Sequence, residues 1–294
     1  MMAVGTASTT HVMPLLGPGS PRFEHPPPDL PARSARALRD HLVRGMWRRR
    51  SVGTIGLVKA VLLCGVIDRS RAVAITIIIV VLVAMAEWRG PAHTSLVVGP
   101  LAAVLLLLLA RVAGLSAEEI GLGRRYLGRG GVYAGACVAV VGAVYAVALA
   151  LPATRPAFFD ERYQVVLGSA VMTALVVIPL GTVLFQEVAF RGVLWALVCS
   201  GYGATRATLV SSVLFGFVHV APSLRLNRVN PAVAALVGPG GAGQVLAVIG
   251  AVSVTGVAGV LLCELRRRSG SLLAPIGLHW AINGLGAVVA SVTR

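Results

Sequence analysis

The feature that most limits how this chain can fold is a series of apolar segments, most of them long enough to cross a bilayer, with arginines gathered between them. The segments lie at about 52–67, 72–86, 95–113, 131–151, 165–199, 206–220, 242–263 and 272–291. A helix needs roughly 20 residues to cross about 30 Å of hydrocarbon, and it satisfies its own backbone groups on the way. Charged residues make up 13% of the chain, against about 25% in soluble domains. With a mean hydropathy of +0.84, an ordinary water-soluble enzyme is excluded. The expected fold is all-α: a polytopic helical transmembrane bundle of about seven or eight membrane helices, preceded by a disordered basic N-terminal tail.

The formal charge of +15 is almost wholly arginine, since Lys59 is the sole lysine. In a soluble protein that excess would point to nucleic acid. Here the arginines stand between apolar segments, where they set topology, so the expected partner is the lipid bilayer and no nucleic acid. Residues 1–50 read as a disordered Pro/Arg-rich cytoplasmic tail, closing in Arg48, Arg49 and Arg50. No apolar stretch precedes that block, so it does not read as a cleaved signal peptide. Residues 51–130 read as N-terminal membrane helices and a basic loop, and 131–294 as a membrane core that holds the chemistry. The expected location is an integral membrane protein of a bacterial cytoplasmic membrane, with a cytoplasmic N-terminus.

Two segments depart from the usual length. The first is short and contains Lys59, which suits an interfacial or half-inserted helix. The 165–199 segment is long enough for one kinked helix or for two, with Pro179 marking the expected break. Loop charge favours one. Arg124, Arg125 and Arg129 form one basic loop and Arg266, Arg267 and Arg268 another, so an even number of crossings between them keeps both on one side. A single kinked span gives four crossings. The four cysteines Cys64, Cys137, Cys199 and Cys263 form no CxxC pair and read as small apolar packing residues. Gly131 and Gly135 form a GxxxG that predicts close helix packing. Trp195 and Trp280 read as interface anchors or packing residues, and the glycine-rich 238–243 stretch as a flexible loop or helix break.

Ionisable groups are scarce enough to place singly. Of eleven acidic residues, only Glu187 sits well inside an apolar segment; of six histidines, His219 and His279 are carried by apolar helices, while His11, His25, His41 and His93 fall in the tail or a loop. An ionisable group at membrane depth is costly and marks a functional site by default. Three patterns hold these groups: Gln186-Glu187-Val188-Ala189-Phe190-Arg191, Phe215-Gly216-Phe217-Val218-His219, and His279-Trp280-Ala281-Ile282-Asn283. Glu187 and Arg191 share a helix face at i,i+4, as do His279 and Asn283. Converged on one wet pocket, a carboxylate, two imidazoles and an amide suffice to activate water and to hydrogen-bond an oxyanion. The bland alternatives are a structural ion pair at Glu187–Arg191, a core histidine at 219 and interhelical hydrogen bonding at 279 and 283.

These three patterns, in this order, resemble the CPBP family of intramembrane proteases, the CAAX-protease-and-bacteriocin-processing family to which Rce1-like CAAX endopeptidases belong. Its EExxxR, FxxxH and HxxxN motifs correspond to Gln186-Glu187…Arg191, Phe215…His219 and His279…Asn283. The Leu115–Leu122 stretch also resembles one that often precedes the family core. The resemblance implies an intramembrane endopeptidase acting on a peptide or protein substrate at the membrane. Glu187, with Gln186, and His219 would activate the water, while His279 and Asn283 would stabilise the oxyanion. Arg191 and Phe215 would give structural support. No cofactor is required, although Glu187, His219 and His279 are the zinc ligands if a metal is bound.

One position departs from that pattern: Gln186 stands where the family has its first glutamate, and an amide cannot act as a general base. Either Glu187 takes over, or Gln186 merely positions a water, or the chain is a non-catalytic membrane scaffold or immunity-type relative. A small proton-coupled transporter is a further alternative. Other intramembrane proteases are excluded more simply. The chain has no HExxH, no aspartate within an apolar segment, and no serine-protease-like turn outside the tail.

Overall fold

The computed structural model describes residues 67–91, 94–159 and 166–293. The tail 1–50, the first apolar segment up to residue 66 with Lys59 and Cys64, and His93 lie outside the described residues. Six helical runs among the described residues are long and apolar enough to cross a bilayer, and no strand occurs among them. The chain is a polytopic helical membrane bundle. We label α1 (Arg69–Arg89), α2 (Thr94–Val112) and α3 (Leu127–Ala150). The Leu167–Phe217 run is broken at Gly203, where φ is 82° and ψ 166°, giving α4 (residues 167–202) and α5 (residues 204–217). A left-handed φ is cheap for glycine alone, and it lets α5 fold back along α4. Ser211 Oγ then donates to the Phe190 carbonyl at 2.9 Å and Trp195 Nε1 to Thr208 Oγ1 at 3.2 Å. Three short turns, Val220–Ser223, Leu226–Val229 and Pro231–Val237, lead to α6 (Gly241–Ser269) and α7 (Leu273–Val292).

Helices that are apolar all round suit lipid on one side and packing on the other. On α2, Val97, Leu101, Val104, Leu105 and Leu108 point outward, while Ala102, Ala103, Leu106 and Ala110 are buried. Small residues bring backbones together, as where Gly99 of α2 abuts the Gly181 carbonyl of α4. The expected GxxxG contact is not made among the described residues: Gly131 and Gly135 are exposed, with open space where a Cβ would stand. The neighbouring stripe packs instead. A Cβ on Gly277 of α7 would lie 2.6 Å from Ala134 Cβ, and one on Gly130 would lie 2.5 Å from Ser271 Oγ.

From Leu167 to residue 199 the long segment is one helix, and Pro179 does not break it. Residues Thr173–Val183 run in the wider π register, in which each N–H pairs with the carbonyl five residues back. Pro179 has no N–H for the Ala174 carbonyl, and Trp280 Nε1 from α7 donates to that carbonyl at 2.8 Å instead. A partner helix thus restores what the proline removed. Trp280 and the buried Trp195 are packing residues.

The two basic loops meet at one end of the bundle, as an even number of crossings requires. Arg266 Nη2 donates to the Glu119 carbonyl at 2.8 Å, and Leu272 N to the Gly121 carbonyl at 2.9 Å. The Leu115–Leu122 stretch is therefore a clamp across that end. Within it Ser116 and Glu119 form a reciprocal capping box: Ser116 N and Oγ both donate to Glu119 Oε2 at 2.8 Å, and Glu119 N donates back to Ser116 Oγ at 3.2 Å. The two Ser116 bonds hold the Glu119 carboxyl below its ordinary pKa. A lowered carboxyl stabilises the fold above its unfolded pKa and loses that contribution as pH falls through the folded value. Ser116→Ala should cost about 0.5 kcal/mol at neutral pH, the low end for a cap because the pair is exposed. The difference from wild type in thermal unfolding should shrink once acid protonates Glu119, leaving the loss of the Glu119 N–H bond to the Ser116 hydroxyl. The 238–243 stretch is likewise tied, with buried Asn227 Nδ2 donating to the Gly238 and Gly240 carbonyls at 3.0 and 3.2 Å.

Candidate active site

The site begins on α4, where the helix widens a second time at Val188–Leu194. Adjacent helical residues point about 100° apart, which sends Gln186 and Glu187 to different surroundings. Glu187 turns into the bundle and is 0% exposed, as is Arg191, whose Nη1 lies 3.1 Å from Glu187 Oε1. The same carboxylate oxygen is 2.7 Å from Nδ1 of His279 on α7. The second carboxylate oxygen, and Arg191 Nε and Nη2, find no hydrogen-bond partner among the described residues.

Phe215 of α5 joins this ion pair to His219. Its ring meets the His279 imidazole edge-on at 5.7 Å between centroids, the His219 imidazole at 4.7 Å and Phe190 at 5.3 Å. Arg191 Cζ sits 3.9 Å from the ring centroid, a cation–π contact in dry surroundings. His219 follows the end of α5, and its Nδ1 lies 2.7 Å from the Phe215 carbonyl. A carbonyl only accepts, so Nδ1 carries the proton and a neutral His219 presents Nε2 as an acceptor. The structure thus brings Glu187, Arg191, Phe215, His219 and His279 into one contact network. Asn283 lies one turn past His279 in the π-register stretch Ala281–Leu285 and makes no side-chain hydrogen bond among the described residues.

Beside the network lies a cavity of about 280 Å³ between α1, α4 and the turn after α5. Glu87, Trp88, Phe185, Gln186, Phe190 and His219 line it. A second, apolar cavity of about 240 Å³ adjoins it, sharing Val80, Ala84, Phe190 and Val218. Glu187, His279 and Asn283 line neither cavity. Glu187 is therefore sealed behind the wall that Gln186 and His219 form. Glu87 was missed from sequence because it follows the apolar segment 72–86 and reads as the end of a span; in the folded chain it lies within α1. The signal that could have found it was a lone carboxylate beside Trp88 at the membrane end of a helix.

Zinc does not fit these residues. The Glu187 oxygen nearest His279 already faces a guanidinium, and Glu187 and His279 lie off the cavity that His219 lines. No group of three His, Cys, Asp or Glu among the described residues is close enough together to hold an ion.

Residues 168–285 match the family described as type II CAAX prenyl endopeptidase, Rce1-like. Over those residues the chain is similar to the Rce1-like family. All three polar motifs fall inside the matched residues, and Glu87 falls outside them. No curated protein and no solved structure matches the chain.

Proposed function

We propose that the chain is an intramembrane endopeptidase that hydrolyses a peptide bond of a membrane-associated substrate in the cavity lined by Gln186 and His219. The observation that supports this best is the bond between Glu187 and His279, 92 positions apart, which joins the first and third motifs, with Phe215 of the second packed against both. His219 Nε2 accepts a hydrogen bond from the attacking water and orients it toward the scissile carbonyl. Glu187, Arg191 and His279 hold α4 and α7 in register behind it. Asn283 and His279, the oxyanion donors that the family resemblance implies, line neither cavity, so they would serve only if the wall between them and the bound peptide opened.

The family description points to a CAAX tail as substrate, so the probe is a quenched fluorescent peptide ending in a prenylated CAAX sequence, with its unprenylated twin as control. The full chain, reconstituted in liposomes, should cleave the probe, and His219→Ala should lose at least about 10²-fold in rate. Full activity in His219→Ala would remove the imidazole from the mechanism. A second reading, a peptide-binding relative without catalysis, is favoured by Gln186 alone. Probe bound by wild type and released uncut would establish it.

A further inference from the structure

The Rce1-like pattern needs a carboxylate at the water, and neither residue at its first motif supplies one. Gln186 lines the cavity but is an amide; Glu187 is a carboxylate but is 0% exposed, paired with Arg191 and His279, and off the cavity wall. A third residue has both properties. Glu87, reaching in from α1, lines the same cavity as Gln186 and His219.

Its surroundings do not explain it as a structural residue. Glu87 Oε1 is buried without a hydrogen-bond partner among the described residues, and so is Gln186 Oε1. No salt bridge to Glu87 occurs among the described residues. A buried polar oxygen without a partner is costly, and such groups gather where a site is built to meet something. The Glu87 carboxylate and the His219 Nε2 on one cavity both accept hydrogen bonds, and water is the ligand that donates two.

We infer that Glu87 is the catalytic carboxylate of this chain, standing in from α1 for the glutamate that α4 lacks. The inference rests on the endopeptidase reading above. In the reaction, Glu87 takes one proton from the water, whose other proton is held by His219 Nε2, as the water oxygen bonds to the scissile carbon and the carbonyl electron pair moves onto oxygen. The carboxyl then gives that proton to the amide nitrogen as the C–N bond breaks. The second water proton stays on the new carboxylic acid, and Glu87 returns to its carboxylate form.

The test is a carboxylate swap in the reconstituted full chain, read on the prenylated CAAX probe. Glu87→Gln should lose at least about 10²-fold in cleavage rate. Adding Gln186→Glu to that variant should restore cleavage, since a carboxylate returns to the cavity from the opposite wall. A purely structural Glu87 would not be rescued by a change on another helix. Wild-type rates in Glu87→Gln would overturn the inference and leave the endopeptidase reading standing. A wild-type chain that does not cut the probe would overturn both. Should Glu87→Gln fail to fold, a hydrophobic carbodiimide applied to the wild type gives the same decision. Labelling of Glu87 in step with loss of cleavage supports the role, and labelling without loss refutes it.

Discussion

Glu187→Ala is expected to destabilise the folded chain by about 3–5 kcal/mol, because it strands the Arg191 guanidinium in the interior with no counter-charge. Both side chains are 0% exposed, so neither water nor lipid headgroups can take over. The same change frees His279 from its 2.7 Å contact and loosens α7 against α4. A companion variant separates charge from packing. Glu187→Leu combined with Arg191→Met removes both charges at similar volume and should recover most of the lost stability, since a buried ion pair is often no better than apolar packing. It should still lack cleavage activity, because nothing then orients His279. Unfolding of the three proteins in one detergent decides the matter. A loss below about 1 kcal/mol in Glu187→Ala would mean that the pair is solvated and that the sealed wall does not exist.

The second large effect is expected at Phe215. Phe215→Ala should cost about 3–5 kcal/mol through the cavity it leaves. It should also remove the ring face over which Arg191 sits at 3.9 Å, a contribution of about 2 kcal/mol in a dry site. Phe215→Leu keeps most of the volume and loses only the aromatic contacts, so its stability should fall between alanine and wild type. Because the ring touches both imidazoles, the leucine variant should lose more activity than its stability loss accounts for. Equal stability of Phe215→Leu and wild type would show that the guanidinium needs no ring.

The membrane bundle was legible because lipid imposes a length and a composition on every crossing segment. The convergence of Glu187, His219 and His279 was legible because each is an expensive group on an otherwise apolar helix. Three things were not. The path of α4 through Pro179 depends on Trp280, about 100 residues away in the chain, and local pattern cannot show such a partner. The exposure of Gly131 and Gly135 depends on which of two adjacent small-residue stripes meets α7, and both look alike in sequence. The division of labour between Gln186 and Glu187 depends on helix rotation. Glu87 escaped notice for a related reason: a carboxylate near the end of a span is ordinary until a neighbouring helix folds over it.

The way α1 is attached has a consequence for how a substrate gets in. Its hydroxyl at Thr76 bonds back to its own Ala72 carbonyl, and among the described residues no side-chain hydrogen bond ties α1 to another helix. α4 and α7, in contrast, are pinned together by the Trp280 bond and by the Glu187–His279 pair. In a bilayer, apolar helix contacts exchange for acyl-chain contacts at little net cost. A sideways swing of α1, which borders the cavity, would therefore open a door on the hydrocarbon side, and a polypeptide entering by it would come from within the membrane plane rather than from the water.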